Sequence, residues 1–231
     1  MPYRFEQGEI LLINKPYRWT SFDVVNNFRA FLKYQMDLPK IRIGHAGTLD
    51  PLATGLLILC TGSFTKKIDD IQAEEKEYTG TFVLGATTPS FDLEKEVDQT
   101  YPTEHIANDQ ILHAAQMLTG TYDQIPPVFS AKKIAGKRAY QYARKELEVK
   151  VRLSRITVSA FEIIRISMPE VEFRIVCSKG TYIRAIARDF GKALDSGAYL
   201  SSLCRTRIGS YYLHQALDLE ELKRQIMSRD K

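Results

Sequence analysis

Apolar residues fall along this chain in several short rhythms, and each rhythm predicts an element. Residues 10–13, Ile-Leu-Leu-Ile, are continuously apolar and stop at Lys15-Pro16. A run that short reads as a buried strand, closed by the extended backbone that proline imposes on the residue before it. Ser21 stands where a helix cap belongs, ahead of a stripe at Val24, Val25, Phe28, Phe31 and Leu32. Residues 55–60 are apolar throughout, as in a buried strand or a short helix. Residues 78–84 read as a strand, 89–102 as a polar loop, and 106–118 as a helix with Gly120 as its stop. Residues 156–166 and 171–177 read as paired strands. In the second, Val171, Phe173, Ile175 and Cys177 alternate with Glu172, Arg174 and Val176. A helix is predicted over 182–194, with Thr181 as cap and Ile183, Ile186, Ala187, Phe190 and Leu194 as its stripe. A last amphipathic helix is predicted over 217–227. No βαβ unit repeats. The pattern therefore predicts an α+β fold, with a central mixed or mostly antiparallel sheet flanked by helices.

Composition narrows this picture. The 231 residues, 44% of them hydrophobic, suit one substantial core. We expect a single domain over 1–231. No apolar run approaches the ~20 residues of a membrane helix, and the first residues lack a signal pattern, so a cytoplasmic protein is expected. Cys60, Cys177 and Cys204 are odd in number and widely spaced. That argues against a disulfide framework and against a structural zinc site. Charge is unevenly placed. Residues 129–155 hold nine basic and two acidic residues, which leaves the rest of the chain net acidic within a total of +4. A basic arm on a mildly acidic body suits a polyanionic partner, although alone it equally describes a solvated helix face.

The densest signal is GHAGTLDPLATG, from Gly44 to Gly55. Glycines and a proline make it a tight irregular turn that carries one histidine, His45, and one aspartate, Asp50. Taken alone, the Asp-Pro step reads as structural. It also lacks the Gly-Lys-Ser/Thr ending of a phosphate cradle. Other blocks flank it: LLINKPYRWTSFDVV, KEYTGTFVLGATT, IPPVFSAKKIAGKRAYQYAR, CSKGTYIRAIARDFGKAL and AYLSSLCRTRIGSY. In this order the blocks resemble the TruB family of tRNA pseudouridine synthases, over nearly the whole chain.

The resemblance implies a pseudouridine synthase fold with a basic thumb insertion at about 121–155. It implies isomerisation of the T-loop uridine, position 55 of tRNA, to pseudouridine. That reaction is redox-neutral, adds no water and needs no cofactor or metal. Asp50 matches the catalytic nucleophile, Arg184 the arginine that keeps it ionised, and Tyr78 the active-site tyrosine. His45 matches the residue that inserts where the flipped base was stacked. Tyr182 and Leu203 match residues lining the base pocket. Lys66, Lys132, Lys137, Arg138 and Arg144 are expected RNA contacts, mostly through phosphates. Lys15 and Pro16 match support beneath the catalytic turn. The partner expected is the T stem-loop of tRNA, with no membrane, no required protein partner and a monomeric enzyme.

The sequence departs from the family pattern in places. Arg18 and Glu146 stand where glycines are usual, and Pro89 where an acidic residue is common. The additional carboxy-terminal RNA-binding domain of the PUA type is expected to be absent. Two other functions compete. One is a non-catalytic RNA-binding or RNA-folding protein, for which Asp50, Tyr78 and Arg184 together would be superfluous. The other is a guide-RNA-dependent relative acting on ribosomal RNA.

Overall fold

The computed structural model describes residues 3–127, 133–134, 137–138 and 152–229. Its strands are β1 (Ile10–Lys15), β2 (Ile43–His45), β3 (Thr54–Thr61), β4 (Lys76–Leu84), β5 (Ala86–Thr87), β6 (Gln99–Thr100), β7 (Gly120–Gln124), β8 (Lys133–Ile134), β9 (Lys137–Arg138), β10 (Ser154–Ser167), β11 (Glu170–Cys177), β12 (Ala198–Ile208) and β13 (Tyr211–Tyr212). Its α-helices are α1 (Ser21–Gln35), α2 (Ile68–Ala73), α3 (Asn108–Met117), α4 (Ile183–Ala193) and α5 (Leu219–Arg229). The chain divides into two compact units, one of Met1–Tyr78 with Leu203–Lys231 and one of Thr79–Ser202.

In the first unit β3 is the axis. It runs antiparallel to β1, with Ile10 opposite Cys60 and Lys15 opposite Gly55. It is antiparallel to β2 and parallel to β12, where Arg205 faces Gly55. Every residue of β3 after Thr54 is buried, because both faces of the strand are covered. Leu57 and Leu59 pack with Val24, Phe28, Leu32, Leu222 and Ile226 from α1 and α5. Leu56, Ile58 and Cys60 pack with Ile71 and Ile208 on the other side. The apolar run 55–60 is thus a strand rather than a helix. β1 alternates instead of being buried throughout: Leu11, Ile13 and Lys15 are buried, while Ile10, Leu12 and Asn14 are half-buried. Ser21 does not cap α1. Thr20 does, in a capping box with Asp23, and Ser21 is the first helical residue.

In the second unit the strand order is β12-β4-β11-β10-β7. β10 is antiparallel to β11 and to β7, as the paired runs predicted for the first pair. The core is an aromatic cluster from four elements. Phe82 stacks on Phe173 with centroids 4.1 Å apart, and Phe161 and Phe190 lie 6.2 and 5.5 Å from Phe82. Phe190 anchors α4, whose inward face also holds Ile183, Ala185, Ile186 and Ala187. Two end signals act differently from expectation. Gly120 opens β7 at φ +114° rather than stopping α3. Thr181 donates its hydroxyl to the Ser178 carbonyl, so Tyr182 is the residue at the cap position of α4. β12 was not foreseen. Within the basic arm, β8 and β9 pair antiparallel, Ile134 opposite Lys137. The expected contacts Lys132 and Arg144 lie outside the described residues.

Candidate active site

Asp50 sits, half-buried, in the turn between β2 and β3. The turn is held from behind by side chains that reach its main chain. Arg205 is almost wholly buried, at 1% exposure. Its Nε donates to the Leu56 carbonyl at 2.8 Å, and its two terminal nitrogens donate to the carbonyls of Gly47 at 3.0 Å and Thr48 at 3.4 Å. The Ser21 hydroxyl accepts from the Leu49 N–H at 2.9 Å and donates to the Leu49 carbonyl. Lys15, fully buried, donates to the carbonyls of Pro16, Trp19 and Pro51. The Arg18 N–H reaches the same Pro51 carbonyl at 2.8 Å. Carbonyls on both sides of Asp50 are therefore fixed. Gly55 closes the turn at φ +99°, where a Cβ would strike the Arg205 backbone.

These contacts place two buried cations behind the turn that carries Asp50. Burial pushes the Lys15 ammonium down to about 8, against an upward pull from Asp50, while Arg205 lowers it further. The carbonyls compensate the desolvation of both cations.

His45 ends β2 and is half-buried; its carbonyl accepts from the Gln72 side chain. Tyr78 is buried on β4. Near it, the buried Lys76 holds the carbonyls of Gln72 and Glu74. Leu203 is half-buried, and its carbonyl accepts from Thr54. Lys66 is exposed in the 3-10 turn Gly62–Lys67. The four expected residues His45, Tyr78, Leu203 and Lys66 all belong to the first unit, with Asp50.

Tyr182 and Arg184 belong to the second unit. Gln124 fixes the start of α4 there. Its side-chain oxygen accepts from the Tyr182 N–H at 2.9 Å, and its nitrogen donates to the Tyr182 carbonyl at 3.1 Å. Arg184 is 4% exposed, on the inner face of α4. It donates to the Ser90 carbonyl at 3.2 Å, and its Nε lies 3.5 Å from the Asp92 carboxylate. Asp92 is itself buried, on a turn made by Phe91 at φ +61°. The hydroxyls of Thr88 and Ser90 donate to the Asp92 carbonyl, and the Phe91 carbonyl accepts from the Leu200 N–H at 2.9 Å. Among the described residues no cluster of His, Cys, Asp or Glu could hold a metal ion, and no helix is long and apolar enough to cross a membrane.

Four residues here escaped the reading of the sequence: Ser21 in its bracing role, Asp92, Gln124 and Arg205. Only Arg205 left a usable signal. It lies two residues beyond Leu203, so on a strand the two side chains share a face.

The fold is that of the pseudouridine synthases. A solved Cbf5–Nop10–Gar1 complex contains a chain similar to this one, with TM-score 0.72 and 25% identity, over 95% of this chain and 54% of that one. A solved H/ACA RNP bound to a substrate RNA containing 2'-deoxyuridine gives TM-score 0.70 at 23% identity, over 98% and 56%. The chain thus spans about half the length of both solved relatives. It belongs to the TruB family of pseudouridylate synthases: the family model for the N-terminal domain, "TruB family pseudouridylate synthase", matches residues 33–183. It is 53% identical to the tRNA pseudouridine synthase B of Flavobacterium johnsoniae over 220 residues, covering 94% of this chain and 96% of that protein. It is 54% identical to that of Parabacteroides distasonis over 218 residues, covering 94% and 93%.

Two outcomes are expected. Asp92→Asn leaves the buried Arg184 with a weaker acceptor, and should lower urea-unfolding stability by about 2 kcal/mol; a loss below about 0.5 kcal/mol would show that Asp92 does not hold the guanidinium. For Lys15 the folded chain releases its proton near pH 8 and the unfolded chain near 10.5. The unfolded state binds more protons between those values, so this group adds stability as pH rises through the window. Unfolding at about pH 7.5 and 9.5 should show wild type gaining over Lys15→Met; a constant difference would mean that the ammonium titrates normally.

Proposed function

We propose that this chain isomerises the T-loop uridine at position 55 of transfer RNA to pseudouridine, with Asp50 as nucleophile. The observation that carries this reading is the bracing of the Asp50 turn from both sides by Arg205, Lys15 and Ser21. A carboxylate on a main chain fixed in this way arrives at its reaction pre-oriented. The relatives named tRNA pseudouridine synthase B, matched over nearly their whole length, supply the substrate class.

In the proposed reaction the N-glycosidic bond of uridine breaks and uracil turns over. A carbon–carbon bond then forms from C5 to the sugar. C5 loses its proton, N1 gains one, and no electrons are exchanged. Asp50 attacks or stabilises the reacting centre. Arg184, buried on the first turn of α4, matches the family's active-site arginine; its planar, permanently ionised head suits burial. Tyr78 stacks on the uracil, and Tyr182 and Leu203 line its pocket. His45 enters the T loop as the base leaves the stack, which lowers the cost of flipping. Lys66 and the arm residues Lys132, Lys137, Arg138 and Arg144 hold phosphates of the T stem-loop. The enzyme acts in the cytoplasm, as a monomer, without a guide RNA or a protein partner, and without a cofactor.

Asp50→Asn should abolish tritium release from tRNA labelled at uridine C5 while tRNA binding stays within about tenfold. Turnover at the wild-type rate would remove Asp50 from the mechanism. Neutralising Lys137 and Arg138 together should weaken tRNA binding and reduce the slope of log affinity against log salt by about one to two; an unchanged slope would remove the arm from the phosphate contacts.

A further inference from the structure

Directly beside the Asp50 turn, a second exposed feature has no role in the scheme above. Arg18 lies between β1 and α1 with φ +67°, a left-handed backbone that glycine adopts freely and a side chain resists. Its N–H is tied to the carbonyl of Pro51, the residue after Asp50. Its side chain is exposed, and its guanidinium carbon sits 5.6 Å from the centre of the Tyr17 ring, itself 48% exposed. No carboxylate among the described residues pairs with Arg18; the nearby Asp23 is engaged by Thr20. The chain therefore accepts backbone strain to present a cation and an aromatic face where the turn itself needs neither. Arg18 does not stabilise the turn through its side chain, since the bond to Pro51 uses only the backbone.

We propose that Tyr17 and Arg18 form an RNA contact at the lip of the Asp50 turn, with the Arg18 guanidinium on a backbone phosphate of the substrate. The inference rests on the reading of Asp50 as the reacting carboxylate. An arginine head reaches roughly 6–7 Å from its Cα. With its backbone bonded to the residue after Asp50, Arg18 lies within reach of the phosphates that flank any nucleotide bound at Asp50. A planar, permanently charged guanidinium suits a phosphate, and the exposed tyrosine ring offers a stacking face to a neighbouring unpaired base. The contact positions RNA and carries no sequence preference of its own.

The test uses the full chain and a tRNA transcript. Arg18→Gly suits the local backbone, so its thermal midpoint should equal or exceed that of wild type. Its affinity for the tRNA should fall about three- to tenfold, and the slope of log affinity against log salt should drop by about one. Arg18→Lys should restore most of that slope. Tyr17→Ala should weaken binding about two- to fivefold with the slope unchanged. Equal affinity and equal slope for Arg18→Gly and wild type would overturn the contact. Binding judges the contact and tritium release judges the proposed reaction, so the failure of one is separable from the failure of the other.

Discussion

A cation inside a protein must be surrounded by oxygen, and here the backbone of the Asp50 turn supplies much of that oxygen. Arg205 and Lys15 are buried, and each spends its donors on carbonyls. The relation is mutual. The cations could not stay charged in the core without those acceptors, and the irregular turn would leave its carbonyls unsatisfied without those donors. Loss of either side would cost more than the hydrogen bonds themselves, because the partner left behind is desolvated. The position of the Asp50 turn thus rests on the solvation of two buried cations.

The second unit solves a related problem by another route. Arg184 is buried close to a carboxylate as well as a carbonyl, and the turn carrying Asp92 and Ser90 bends at a strained Phe91. That turn is tied back to β12 through the Phe91 carbonyl and Leu200. α4 enters at a fixed angle because Gln124 satisfies both backbone groups of Tyr182. The aromatic cluster beneath α4 then holds the helix against the sheet. In each unit a buried guanidinium is met by a loop far away in sequence.

Much of the fold was legible where one periodicity ruled. The alternation in Val171 to Cys177 and the stripe of α4 read directly, since both patterns report a single buried face. The run 55–60 read ambiguously, because a strand covered on both faces looks like a buried helix segment until its length and neighbours are known. Helix starts were less legible. Thr20 and Ser21 are adjacent, and only the Asp23 three residues past Thr20 distinguishes the cap from the first helical residue. Asp50, Tyr78 and Arg184 stand as candidates through their resemblance to family motifs, not through their periodicity. Asp92 was not found, because a polar residue in a polar loop gives no sign of burial. Arg205 and Gln124 were missed for a different reason: their partners are main-chain atoms, and the sequence does not show which carbonyl a distant side chain will meet.

Main-chain recognition also sets how the turn could change. Arg205, Lys15 and Ser21 recognise the path of the backbone and none of the side chains it displays. Amino acids at outward positions of this loop, such as Thr48, could be exchanged without loosening the grip, as long as the glycine at 55 remains. The structure is in effect a mount with interchangeable fittings. Different side chains could be tried at its tip while the geometry beneath them stays constant.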